Sequence, residues 1–250
     1  MGLIDFIKGY KERNRIGSLR RNISKLSNKH QLSENRYAAA ESLYNNGSNE
    51  AIAGLLKRFN FTYENSIKDK AEKEYVSKLI LNFGERAIPF IKNYIKNEAN
   101  ISWPLQILDE LIPKNEILNF LLSLLNDEDA TFKESVLEKR LDLLNYLSEF
   151  KDREIVEKVI SFLSDEEEEV RFKAIEVLGK QGDSSAKDHV LKLLADDSES
   201  IRIKMKIFEV LLITEWPVSG FRKKVEEILP EGYYLTREGI VKIRGNVLQS

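Results

Sequence analysis

The chain has 250 residues, 42% hydrophobic and 32% charged, a balance that suits a folded helical protein better than a disordered one. It has no cysteine and two histidines, His30 and His189, which excludes disulfides, thiolate metal sites, a cysteine nucleophile and a histidine-rich metal centre. The formal charge of −2 is unevenly spread: residues 1–36 carry nine basic and three acidic side chains, so that segment is +6 and the remainder −8.

In chain order, the first feature is residues 1–33, read as a basic amphipathic arm or capping helix. Apolar Leu3, Ile4, Phe6, Ile7 and Tyr10 stand there among lysines and arginines. Three roles fit this pattern: an interfacial membrane helix, a docking arm for a protein groove, or a cap on the helices that follow. The cap is the preferred reading, and membrane contact through residues 1–29 is kept as an alternative. The opening run is too short for a signal peptide and Asp5 interrupts it. Gly2 is followed by Phe6 where a myristoylation signal has Ser or Thr. No stretch of 18 apolar residues offers a membrane span.

From residue 34 to 229 the apolar residues recur at helical spacing, punctuated by turn residues. Helix pairs are predicted near 34–46 and 48–59, 70–83 and 86–97, 103–112 and 115–125, 131–149 and 153–163, 167–179 and 185–195, and 199–214 and 219–229. Gly47 and Gly84 sit at turns, and Pro89 and Pro104 in or near first turns, where a missing N–H costs least. The longest linker is Asn60–Lys68. Beyond residue 230, Tyr233–Thr236 and Ile240–Ile243 flank Gly239 and predict a short β-hairpin acting as an end cap over 230–250.

One repeat is explicit. Asp165, Val170 and Arg171 recur as Asp196, Ile201 and Arg202 at an offset of 31 residues. Behind each lies an apolar stripe, Val170-Ala174-Val177-Leu178 and Ile201-Met205-Phe208-Leu212. Between the copies, in Leu178-Gly179-Lys180-Gln181-Gly182-Asp183, glycine stops one helix and Asp183 or Ser184 caps the next. A weaker copy starts at Asp127, with Phe132 and Lys133 at the same offsets. A single helix pair cannot bury its own stripe, so the fold class is all-α: an α-solenoid of about six stacked pairs.

These units resemble HEAT repeats of the bacterial type also found in phycobilin lyases, carried by Asp165–Arg171 through Gly182-Asp183 and by Asp196–Phe208. The resemblance implies that Asp165, Arg171, Asp196 and Arg202 form a structural ladder between neighbouring repeats. A further segment, Arg58-Phe59-Asn60-Phe61-Thr62, Ser66-Ile67, Glu72-Lys73-Glu74 and Ser102-Trp103-Pro104-Leu105, resembles a widespread bacterial group of HEAT-like proteins. That likeness implies a fold and no particular activity.

Arg58, Phe59, Phe61 and Trp103 pair arginine with aromatic side chains beside the longest linker and are the candidate partner-binding residues. The bland alternative is that the aromatics pin the linker to the core. Trp216, like Trp103, precedes a proline and reads as a helix-exit packing residue. The acidic run Asp165–Glu169 reads as a solvated helix start complementing the macrodipole. His189 beside Asp188 points about 100° away from it on a helix, so the two are not an orienting pair. No Gly-rich phosphate loop, P-loop lysine or HExxH pattern occurs.

The expected function is a non-catalytic, cytoplasmic protein-binding scaffold with no cofactor, no metal and a protein partner. The second reading is a nucleic-acid-binding protein akin to HEAT-like DNA glycosylases, disfavoured because residues 165–199 hold eleven acids against five bases. The third, a bilin lyase-like enzyme, rests on the repeat resemblance alone.

Overall fold

The computed structural model describes the backbone of residues 3–63, 65–126 and 137–244, and the side chains of 13–63, 65–125 and 137–244. Among these residues the chain is all-α apart from one hairpin, with thirteen α-helices: α1, then six successive helix pairs of an α-solenoid. They are α1 (Leu3–Leu26), α2 (Ser33–Asn46), α3 (Asn49–Leu56), α4 (Ser66–Leu81), α5 (Ile88–Asn97), α6 (Ser102–Leu111) and α7 (Lys114–Asn126). There follow α8 (Leu137–Leu147), α9 (Arg153–Val159), α10 (Glu168–Gln181), α11 (Lys187–Leu194), α12 (Ile201–Thr214) and α13 (Arg222–Glu227). Strands β1 (Tyr233–Leu235) and β2 (Val241–Ile243) come last.

The chain divides into two compact units, Met1–Phe120 and Leu121–Ser250, with the boundary inside α7. In the first unit α2 packs on α4 and α4 on α6, while α3 packs on α5. That makes two layers, one from the first helix of each pair and one from the second. Ala40, Leu43, Ile52, Leu55, Val76, Ile80, Ile91, Ile95 and Leu108 fill the space between them, each fully buried. Helix α1 lies across α2 and α3. Leu26 is buried there, Asn22 Nδ2 donates to Ser42 Oγ at 2.7 Å, and Ile23 presses on Gly54, where a Cβ would meet its Cγ1 at 2.6 Å. The described part of α1 therefore covers the open side of the first pair.

The second unit repeats the layering. Helix α10 packs on both α8 and α12, and α11 packs on the 3-10 turn Ile160–Ser164 that continues α9. The hairpin is antiparallel, with Tyr233 opposite Ile243 and Leu235 opposite Val241. It packs on α12 through β2 and through an edge-to-face contact of Tyr233 with Phe208 at 5.9 Å. Gly239, at φ 82°, makes its turn, and the Gly239 carbonyl accepts from Val218 N–H at 2.9 Å.

The turn chemistry follows the sequence. Gly47 and Gly182 take left-handed conformations (φ 62° and 70°) and donate back to Leu43 and Leu178, ending α2 and α10. Ser48, Asp152 and Ser200 cap α3, α9 and α12, and Asp183, rather than Ser184, caps the 3-10 turn before α11. One helix starts earlier than its periodicity predicts: α4 begins at Ser66, four residues before 70. Asn65 caps it, but Ile67 is exposed and Asp69 buried, so its first turn carries no apolar stripe to read. The weaker repeat copy at Asp127, Phe132 and Lys133 lies outside the described residues.

Candidate partner-binding site

In the first unit, five ionisable side chains are buried together. Arg36 comes from α2, Arg58 from the 3-10 turn Lys57–Asn60 after α3, and Asp69, Glu72 and Lys73 from α4. Glu72 is at the centre. Its Oε1 accepts from Arg36 Nε at 2.7 Å, and its Oε2 accepts from Arg58 Nη2 and from the Tyr63 hydroxyl, both at 2.9 Å. Arg58 Nη2 also donates to Asp69 Oδ1 at 2.7 Å, and Asp69 Oδ2 pairs with Lys73 Nζ at 2.8 Å. Three cations face two carboxylates, so one positive charge is left in excess.

These charges hold the segment that joins α3 to α4. Lys73 Nζ donates to Thr62 Oγ1 at 3.0 Å, and Arg58 Nη1 donates to the Phe61 carbonyl at 3.1 Å. Arg36 reaches the opposite rim, donating to the Lys29 and Gln31 carbonyls. Aromatic rings close the network: the Arg58 guanidinium lies over Phe61 at 4.3 Å and the Arg36 guanidinium over Tyr63 at 4.9 Å. Arg58 Nε is buried without a hydrogen-bond partner.

The electrostatics follow from this packing. Burial works against the Asp69 carboxylate, but the hydrogen bonds and charges of Arg58 and Lys73 outweigh it and hold its pKa below the usual value. Burial, then the Glu72 hydrogen bond and charge, push the Tyr63 pKa up, so Tyr63 stays a neutral donor.

Asn60, on the other side of the same turn, accepts from the Tyr94 hydroxyl at 2.5 Å and donates to Glu98 at 3.1 Å. Phe59 stacks on Trp103 with ring centroids 6.2 Å apart and planes 6° from parallel. The turn is thus fixed on both flanks. Outside it lies an open cavity of about 400 Å³ lined, among the described residues, by Lys29, His30, Thr62, Tyr63 and Asn65.

The four candidate partner-binding residues do come together, but in a different role. Arg58 and Phe59 are 0% and 1% exposed, which corrects the expectation that they meet a partner. Their side chains are committed to Glu72, Asp69 and Trp103. Phe61 and Trp103 are half-buried against them. The surface this arrangement leaves is that of Lys29, His30, Thr62 and Asn65, none of which spacing singles out. A signal for Asp69, Glu72 and Lys73 did exist: they continue the Val76-Leu79-Ile80 stripe of α4 at i−3 and i−4 steps, so charges occupy core positions.

In the second unit the expected ladder has different rungs. Arg171 makes a paired contact to the Glu199 carboxylate, 2.9 Å from both Nε and Nη2, and donates to the backbone carbonyl of Asp165 at 2.8 Å. Arg202 reaches back to Glu169 at 2.6 Å and Glu168 at 3.1 Å, and lies over Phe172 at 4.4 Å. Asp196 accepts from Ser198 in its own loop instead of meeting Arg171. Asp165 pairs with Arg140 of α8 at 3.6 Å. Neighbouring repeats are therefore joined by arginine–carboxylate contacts, with glutamates doing most of what the aspartates were expected to do. Trp216 is buried; His30, His189 and Asp188 are exposed. Among the described residues no cluster of histidines and carboxylates has metal-binding geometry.

Two family models match the chain. One, described as HEAT repeats, covers residues 118–205, and one, described as a PBS lyase HEAT-like repeat, covers residues 36–60. The chain contains HEAT-type repeats. The second match begins at Arg36 and ends at Asn60, two residues past Arg58, so it contains both arginines of the charge network and stops before Asp69, Glu72 and Lys73. No curated protein matches the HEAT-repeat chain. Among solved structures, human deoxyhypusine hydroxylase in complex with glycerol is similar at 15% identity and a TM-score of 0.32, over 87% of this chain and 95% of that one. A superposition that loose bears on neither fold nor activity.

Proposed function

We propose that this HEAT-repeat protein is a non-catalytic binding scaffold. Its partner, a protein, meets the first unit at the rim formed by Lys29, His30, Thr62, Tyr63 and Asn65. One observation carries the reading: the network around Glu72 holds Phe61, Thr62 and Tyr63 in place beside that rim. Ordering a loop before association removes an entropic cost from binding, which is the usual use of a fixed recognition surface. Among the described residues, the side chains of Lys29, His30 and Asn65 line the open cavity beside these residues.

The test is capture from native lysate after nuclease treatment. The full chain is compared with a variant carrying Lys29→Glu, His30→Glu and Asn65→Asp, all at exposed positions. Asp at 65 keeps the cap of α4. The expected result is a protein retained by the parent chain and lost, by at least about tenfold, from the variant at unchanged melting temperature. Equal capture by both chains, or recovery of nuclease-sensitive material alone, overturns the proposal.

A further inference from the structure

Helix α1 presents two faces of different character. One, with Leu19, Ile23 and Leu26, packs on α2 and α3. The opposite face carries Arg13, Arg20, Arg21 and Lys25, all exposed, among Asn14, Gly17, Ser18 and Ser24. None of these four cations has an ion-pair partner among the described residues. The sequence holds no Asp or Glu between Arg13 and Glu34. At 1.5 Å rise per residue the stripe is about 18 Å long.

A stripe of cations alone fits any polyanion. The sequence of the same helix narrows the choice. Seven residues are two helical turns, and in that register Phe6 precedes Arg13 and Arg20, Ile7 precedes Asn14 and Arg21, and Leu3 and Tyr10 precede Gly17 and Ser24. Apolar residues thus lead, in sequence register, into the cationic stripe. A nucleic-acid backbone asks only for the cations. The boundary between lipid headgroups and acyl chains takes both, from one side of one helix.

We propose that α1 docks this chain in-plane on an anionic membrane surface, with Arg13, Arg20, Arg21 and Lys25 on acidic lipid headgroups and the apolar residues of its first turns at the acyl boundary. Among the described residues no helix is long and apolar enough to cross a membrane, so the contact lies along the surface. The charge of the remaining chain, −8 beyond residue 36, repels the same surface and leaves the basic helix as the docking element.

The experiment is co-sedimentation of the full chain with phosphatidylcholine vesicles, with and without about 30% phosphatidylserine, beside a fluorescent 20-nucleotide single-stranded DNA as competitor polyanion. Two variants are compared: Arg13→Ser/Arg20→Ser/Arg21→Ser/Lys25→Ser, and Phe6→Ser/Ile7→Ser. Circular dichroism and melting temperature check that each is folded. The expected result is binding to phosphatidylserine vesicles and not to phosphatidylcholine alone. Affinity should fall at least about 100-fold in the cation variant, from about fivefold per cation, and at least about tenfold in the apolar variant. The proposal is overturned by no vesicle binding, by vesicle binding that survives the cation variant, or by DNA binding with vesicle binding indifferent to Phe6 and Ile7.

Discussion

Glu72 shows how one side chain organises its surroundings. It accepts from two guanidinium groups and a phenol while fully buried, so each contact lacks competition from water. Taking five charges out of water is costly, and their mutual attraction offsets the cost only while the set is complete. Glu72→Gln removes the central negative charge and leaves Arg36, Arg58 and Lys73 buried with Asp69 as the one remaining carboxylate of the network. The variant is expected to lose about 3–5 kcal/mol in urea denaturation. A loss below about 1 kcal/mol would mean that water reaches the network. By the same reasoning Arg58→Met, which removes a cation instead, leaves the two carboxylates facing Arg36 and Lys73 and tips the residual charge to neutral.

At the scale of elements, helix approach is set by what stands at the contact. Gly179 on α10 faces Val210 on α12, and a Cβ there would come within 2.6 Å of the Val210 Cγ2. No real Cβ contact is that short, so Gly179→Ala forces the two helices apart or turns Val210. The expected loss is about 1–3 kcal/mol, despite the better helix propensity of alanine. Val210→Ala in the same chain returns part of the lost stability by making room. Measured in a double-mutant cycle, the coupling between the two sites should exceed about 0.5 kcal/mol, and additive effects would remove the steric account. Arg171–Glu199 and Arg202–Glu169 bind the same helices from outside the core. Their geometry sets register more than stability, since both arginines are partly exposed.

At the scale of the whole molecule, pH acts on both units through the same chemistry. Asp69 in the first unit, and Glu176 and Glu199 in the second, feel burial that raises their pKa, but basic neighbours outweigh it and hold each carboxyl below its usual value. These neighbours are Arg58 and Lys73, Lys173 and Lys180, and Arg171. A depressed folded-state pKa means that the unfolded chain takes up protons first. The stabilisation is therefore complete above the unfolded carboxylate values near about 4 and is lost as pH falls through the lower folded values. Melting temperature should stay flat from about pH 7 to about pH 5 as far as these groups set it, then drop below about pH 4. Asp69→Asn/Glu199→Gln should start lower and drop less steeply. An equal acid slope in parent and variant would assign acid sensitivity to other groups.

The helix pairs, their turns and the hairpin were legible in the sequence because each depends on neighbours in the chain. Apolar spacing, a glycine able to take positive φ, and a serine or aspartate able to accept an N–H act within a few residues. The start of α4 escaped because its first turn buries Asp69 and exposes Ile67, an inversion that only distant partners explain. The aromatic and arginine residues near the longest linker were recognisable as a set, while their orientation was not. Whether Arg58 faces solvent or Glu72 depends on residue 36 on one helix and residues 69–73 on another, brought together by stacking. The sequence by itself determined the all-α repeat architecture and the basic character of α1. Tertiary packing alone decided which charges are buried, which carboxylates the repeat arginines reach, and which face of α1 remains exposed, because each is settled by the through-space distance between residues far apart along the chain.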